Sequence, residues 1–289
     1  MSGTTAITVS FHGDMMTVAN VGDSRVVLGH KVAHDGSTHL GSESKEEETT
    51  TNGETTKRFP DKLLAIPLSR DQTPYRKDER ERVKRLGASV MSIDQMEGLE
   101  EMHENWGDLV LGDDVDIHGD PPRVWVEGKD YPGTAFTRSI GDYLAEDIGV
   151  TADPEILSRE LTSNDHILVL ATDGIFEFLS NQEVIDMCAE CDNPIVACQA
   201  LVEAAYKRWL LYENRTDDIT VIVCFISCDR EPPTNGETGT TEDLVALASS
   251  IYGSKPIRTN PRGKNDTLSR SVEQAAPVDD APPVDITAS

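Results

Sequence analysis

The chain has 289 residues, with 52 Asp and Glu set against 26 Lys and Arg, a formal net charge of −26 at pH 7. That surplus repels phosphate backbones and anionic lipid, excluding nucleic acid and membrane surfaces as partners, and no run nears the roughly 20 apolar residues that span a bilayer. The length supports one large core or two modest ones, and 37% hydrophobic against 27% charged residues predicts a chain that is partly folded and partly not.

The opening Met1-Ser2-Gly3-Thr4-Thr5 has neither the basic flank nor the apolar stretch of a secretory leader. Five cysteines, an odd and scattered set, do not make a disulfide framework, so the expected compartment is intracellular, cytoplasmic or nuclear. Residues 6–10, 15–21 and 25–28 read as short strands of an antiparallel meander, parted by His12-Gly13-Asp14 and Gly22-Asp23-Ser24. Residues 31–58 are almost free of apolar side chains and read as an insertion. A helix is predicted over 77–86, and a second insertion over about 91–122, where Asp113, Asp114 and Asp116 sit among glycines.

The run Ile167-Leu168-Val169-Leu170-Ala171 predicts a strand buried on both faces that ends in the turn Thr172-Asp173-Gly174. Helices follow over about 181–191 and over 194–211, the latter opening on proline at a permitted position and repeating apolar residues three and four apart. Residues 219–226 are β-branched and strand-like. Residues 229–289 hold seven of the fifteen prolines and read as a disordered tail, a place for partner proteins to dock. Strands first and helices later predict an α+β domain over 1–228.

Three carboxylates lie in turns beside these strands: Asp173, Asp217 within Asn214-Arg215-Thr216-Asp217-Asp218, and Asp142 within Ser139-Ile140-Gly141-Asp142. Oxygen ligands on rigid strand ends suit hard cations, but aspartate also forms turns and caps helices, and spacing leaves both readings open. Gly22-Asp23-Ser24-Arg25 reads as a turn with an internal Asp–Arg contact, and Arg138 as structural. Cys188-Ala189-Glu190-Cys191, with Cys198 nearby, has no second pair or suitably spaced histidine and does not predict a zinc site. His12, His103, His118 and His166 read as surface or turn residues.

Ser2-Gly3-Thr4-Thr5-Ala6, Val18-Ala19-Asn20-Val21-Gly22-Asp23-Ser24-Arg25, Thr134-Ala135-Phe136-Thr137-Arg138-Ser139-Ile140-Gly141-Asp142, Ala152-Asp153-Pro154-Glu155-Ile156, Leu170-Ala171-Thr172-Asp173-Gly174-Ile175-Phe176-Glu177 and Thr216-Asp217-Asp218-Ile219-Thr220 follow one another in order. Together they resemble the metal-dependent protein phosphatases, the type 2C serine/threonine phosphatases. The resemblance implies two antiparallel β-sheets packed face to face with helices outside. It further implies hydrolysis of phosphoserine and phosphothreonine in protein substrates at a Mg²⁺ or Mn²⁺ two-metal centre, through a metal-activated water. It places Asp173 and Asp217 as ligands there, Asp142 at a third, weaker metal site, and Glu177 where many members have aspartate. The role of Asp218 stays open.

Members of that family carry an Asp-Gly-His-Gly motif, which supplies a bridging ligand, and a phosphate-gripping arginine upstream of the first block. Neither occurs in this chain. The expectation is therefore an N-terminally incomplete sandwich, a fragment of a longer enzyme. The alternative is a catalytically silent module that binds phosphoproteins or another subunit.

Overall fold

The computed structural model describes residues 2–31, 59, 62–103, 106 and 121–232. Most of the first expected insertion, much of the second, and the tail beyond 232 lie outside the described residues. In chain order the elements are β1 (Gly3–Thr4), β2 (Ala6–His12), β3 (Met15–Val21), β4 (Arg25–Lys31), β5 (Leu63–Pro67), α1 (Lys77–Arg85), β6 (Ala88–Met91) and α2 (Ile93–Glu97). They continue as β7 (Arg123–Val126), β8 (Pro132–Thr134), β9 (Ile140–Gly141), α3 (Tyr143–Glu146), β10 (Glu155–Glu160) and β11 (Asp165–Ala171). The last are α4 (Asp173–Phe176), α5 (Asn181–Ala189), α6 (Pro194–Tyr212) and β12 (Val221–Phe225).

Two sheets carry the domain, ordered β10-β3-β2 and β12-β11-β4-β5, and every pairing in them is antiparallel. Alternation decides which face each strand buries. Met16 and Val18 of β3 meet Val26 and Leu28 of β4, Ile66 of β5 and Leu168 of β11 in a core between the sheets. The other face of the four-stranded sheet presents Val27, Ile167, Val169 and Val223 to α4, α5 and α6, which contribute Ile175, Ile185, Ala197, Leu201 and Ala205. Because β4 and β11 are covered on both sides, their sequences are continuously apolar rather than alternating. A smaller sheet, β6-β7-β8, shares a third cluster with Val83 of α1 and Ala145 of α3. This is the expected α+β architecture of packed antiparallel sheets with helices outside.

The meander expectation needs correction. Strands β2 and β3 form a hairpin, but β4 crosses to the other sheet and pairs with β11 and β5. The crossing turns on Gly22, whose φ of +108° disfavours any side chain and where a Cβ would lie 2.4 Å from the Thr5 methyl. The helix boundaries follow local chemistry. Ser180 and Glu183 make a reciprocal capping box on α5, and Asn193 caps α6 one residue before Pro194. A second capping box, Ser92 with Gln95, starts α2 inside the segment read as an insertion. No helix among the described residues is long and apolar enough to cross a membrane.

Register decides what gathers at one end of the larger sheet. Ala171, the last residue of β11, lies opposite both Arg25 at the start of β4 and Val221 at the start of β12. The turns before β4 and β12 and the turn after β11 therefore converge.

Candidate functional site

Asp173 begins two residues beyond Ala171, Asp23 lies two before Arg25, and Asp217 lies four before Val221. Thr172 stitches the first and last of these turns together. Its N–H donates to the Thr220 carbonyl at 3.1 Å, its hydroxyl donates to the Asp218 carbonyl at 3.3 Å, and that hydroxyl accepts from the Thr220 N–H at 3.1 Å. Gly174 permits the approach, because a Cβ there would stand 2.4 Å from the Asp218 carbonyl oxygen. The Trp209 indole N–H of α6 donates to the Gly174 carbonyl at 2.7 Å and ties the turn to the helical layer.

The carboxylates are oriented by their own backbone. Asp173 Oδ1 accepts the Gly174 N–H at 2.9 Å, and Asp217 Oδ1 accepts the Asp218 N–H at 2.7 Å. Burial, and next the charge of Asp217, raise the Asp173 carboxyl above the usual range, and Asp71 adds to the rise. Asp23 is raised further, first by burial and then by Asp173, Asp71 and Glu177. The neighbouring charges that raise them are those of Asp217 and Asp71 on Asp173, and of Asp173, Asp71 and Glu177 on Asp23. Asp217 and Glu177 are exposed, while Asp23 and Asp173 are half-buried, so the group opens to solvent on one side.

Arg25 organises the buried side. It is 2% exposed, and its Nε and Nη2 meet Asp71 at 3.0 and 2.6 Å. Its Nη1 donates to Asn181 at 2.9 Å, and the guanidinium lies 4.6 Å from the centre of the Phe176 ring. Arg25 is thus paired with Asp71, 46 residues along the chain, a long-range contact that the turn sequence does not announce. Gln72 fixes the same turn by accepting the Gly22 N–H at 2.6 Å and donating to the Asn20 carbonyl at 3.1 Å.

The structure brings together Asp173 and Asp217 and sets Glu177 close enough to act on Asp23. Asp23 is the member that sequence reasoning missed. Its signal was its position in a quoted motif block, outweighed there by the commoner use of Gly-Asp as a turn. Asp142 lies beside the short β1–β9 ribbon, where it adopts φ 57° and ψ 51°. Its Oδ2 accepts the Ser139 hydroxyl at 3.0 Å and its N–H donates to the Ser2 carbonyl at 2.9 Å. Asp218 contributes its carbonyl to the stitching by Thr172. Arg138 bonds Glu79 at 2.8 and 3.1 Å and the Asp153 carbonyl at 2.8 Å, a framework role.

The chemistry of this group, hard carboxylate oxygens on neighbouring strand-end turns, fits a divalent cation. Among the described residues, however, no three acidic, histidine or cysteine side chains already converge as a metal cage.

Residues 1–209 match the family profile "Protein phosphatase 2C", and the chain belongs to that family. It is 47% identical over 224 residues to the probable protein phosphatase 2C 35 of Arabidopsis thaliana, covering 77% of this chain and 55% of that protein. It is 31% identical over 226 residues to the probable protein phosphatase 2C 48 of Oryza sativa subsp. japonica, covering 78% of this chain and 52% of the relative. The chain thus spans about half the length of these curated relatives. In fold it resembles the serine-threonine phosphatase 2C of Toxoplasma gondii, with a TM-score of 0.51 at 19% identity over 76% of this chain and 57% of that one.

Proposed function

We propose that this chain carries the Asp173–Asp217 part of a metal-dependent protein serine/threonine phosphatase, acting on phosphoserine and phosphothreonine in proteins. The observation that carries the reading is the convergence of the Asp23, Asp173 and Asp217 turns: Ala171 lies opposite both Arg25 and Val221, and Thr172 bonds the Asp218 carbonyl and the Thr220 N–H. Asp173 and Asp217 are the proposed ligands of Mg²⁺ or Mn²⁺, with Asp23 and Glu177 supplying further oxygens on the same side. When bound, such a cation supplies electrostatic stabilisation of the phosphate and a more acidic water. Asp142 stays outside this proposal, because Ser139 holds its carboxylate.

The chain's own residues do the positioning. The backbone N–H groups of Gly174 and Asp218 each hold one oxygen of Asp173 and Asp217. Thr172 keeps the two turns at a fixed spacing, and Arg25 neutralises Asp71 so that it does not add its full charge to the group. These contacts pre-organise oxygen donors on strand ends, which limits the ordering that cation binding must impose.

Calorimetric titration of the chain with MnCl₂, paired with phosphate release from a phosphothreonine peptide, tests the reading. Saturable binding that Asp173→Asn removes is expected, and phosphate release dependent on the same residue supports the phosphatase. Equal binding by Asp173→Asn would overturn the ligand assignment. Binding without release would shift the reading to a phosphoprotein-binding module.

A further inference from the structure

Cys188 of α5, Cys191 just beyond it and Cys198 of α6 form a group of thiols that the proposed phosphatase reading does not use. Cys188 is fully buried in the core beneath the helices, and Cys191 and Cys198 pack against that core. All five cysteines are free. Cys191 follows the end of α5 in a closed turn. Its N–H donates to the Cys188 carbonyl at 3.2 Å, with Glu190 between them at φ −79° and ψ −9°. A four-residue turn of this kind holds its end Cα atoms within about 7 Å. Disulfides bridge Cα atoms roughly 4.4–6.8 Å apart. The turn brings the Cα atoms of Cys188 and Cys191 into bridging range, with the reduced Cys191 sulfur donating to the Met187 carbonyl at 3.3 Å, whereas Cys198 sits on a different helix, with its sulfur toward the Val221 carbonyl at 4.0 Å. A metal site is the competing use of such a cluster, but no three ligand side chains converge here among the described residues.

We propose that Cys188 and Cys191 form a reversible dithiol–disulfide couple, oxidised by hydrogen peroxide. Cys191 is half-buried and is the point of entry, while Cys188 is closed off from solvent. The Cys191 sulfur attacks the peroxide O–O bond, giving a sulfenic acid and one water. The Cys188 sulfur then displaces the sulfenic oxygen, which leaves as a second water with the Cys188 proton. Two electrons pass from the two thiols to the peroxide, and the S–S bond closes the turn.

The environment sets the rate. Burial, then the neighbouring sulfurs of Cys191 and Cys198, push the Cys188 thiol up to about 12. Burial, followed by the carboxylates of Glu190 and Asp192, also raises Cys191. Few thiolates are present at neutral pH, so oxidation runs slower than for a free cysteine. The same absence of thiolate stabilisation removes the feature that makes low-pKa couples easy to reduce.

The test treats the whole chain with hydrogen peroxide and then alkylates it under denaturing conditions. The expected result is loss of two hydrogens, about 2 Da, with alkylatable thiols falling from five to three and dithiothreitol restoring both. Counting thiols keeps the reading independent of methionine oxidation. Cys191→Ser should abolish the bond, and Cys198→Ser should keep it. Loss of the bond in Cys198→Ser with retention in Cys191→Ser would overturn the pairing. Oxygen uptake by thiols with no two-hydrogen loss would overturn the couple itself.

Discussion

Replacing Gly174 with alanine tests whether close backbone approach is what holds Asp173 against Asp217. The added Cβ would stand 2.4 Å from the Asp218 carbonyl oxygen, 3.1 Å from its carbon and 3.2 Å from the Ile219 Cα. All three are backbone atoms, so no flexible side chain can swing away. Relief requires the turn to move by most of an ångström, and overpacking of this kind costs about 1–3 kcal/mol. The movement also strains the Thr172–Asp218 and Trp209–Gly174 hydrogen bonds, each contributing about 1 kcal/mol. Alanine regains up to about 1 kcal/mol of helix propensity in α4, which is smaller than the sum of the losses. The net expectation is a loss of about 2–4 kcal/mol, read as a urea midpoint about 1 M lower at unchanged slope. Mn²⁺ binding by whatever folded protein remains should weaken as well, because the two aspartates no longer keep their spacing. A Gly174→Ala protein within about 0.5 kcal/mol of the parent, binding Mn²⁺ equally well, would refute the reasoning.

Asp217→Asn removes the leading charge acting on Asp173, so in metal-free protein the Asp173 carboxyl should titrate lower by carbon-detected NMR. An unchanged titration would mean that the two turns are not juxtaposed. Glu79 would be raised by burial, but hydrogen bonds from Arg138, Arg82 and Thr137 hold it at about 2 against an ordinary 4.5. A depressed acid stabilises above its unfolded pKa and loses that contribution as pH falls through its folded pKa. The stability gap between parent and Glu79→Gln should therefore shrink by roughly 3 kcal/mol between pH 6 and pH 2, most of it below about pH 4.5. A gap independent of pH would assign the effect to packing instead. Arg25→Lys keeps the charge but loses the paired contact with Asp71, the bond to Asn181 and the stacking on Phe176. At a site 2% exposed this should cost about 2–4 kcal/mol in chemical denaturation, and a change below about 0.5 kcal/mol would discount the network.

The elements that were legible (β2, β3, β4, α1, β11, α5, α6 and β12) were so because local chemistry sets them, whereas β5, β10 and the elements of two to four residues were not read from the sequence. The doubly buried β11 was announced by a continuous apolar run, and α6 by an N1 proline and its three-four spacing. The capped α2 was missed because its five residues lie at the edge of an acid-rich stretch that carries no periodic signal. The crossing of β4 to the second sheet was also invisible. A hairpin and a crossover look alike in sequence when the next strand is apolar on both faces, and here β11 and β5 supply its neighbours.

The sequence by itself determined the α+β composition, the motif blocks that resemble type 2C phosphatases, and the candidacy of Asp173 and Asp217. Each follows from short-range patterns of residue type, which need no partner to be read. Only the tertiary structure decided that the turn of Asp23 converges with those of Asp173 and Asp217, that Arg25 pairs with Asp71, and that Asp142 sits beside the β1–β9 ribbon with Ser139 on its carboxylate. Those outcomes depend on strand register across the larger sheet, which brings Ala171 opposite both Arg25 and Val221. Register comes from burying many side chains at once across segments distant in the chain, so no single stretch of sequence contains it.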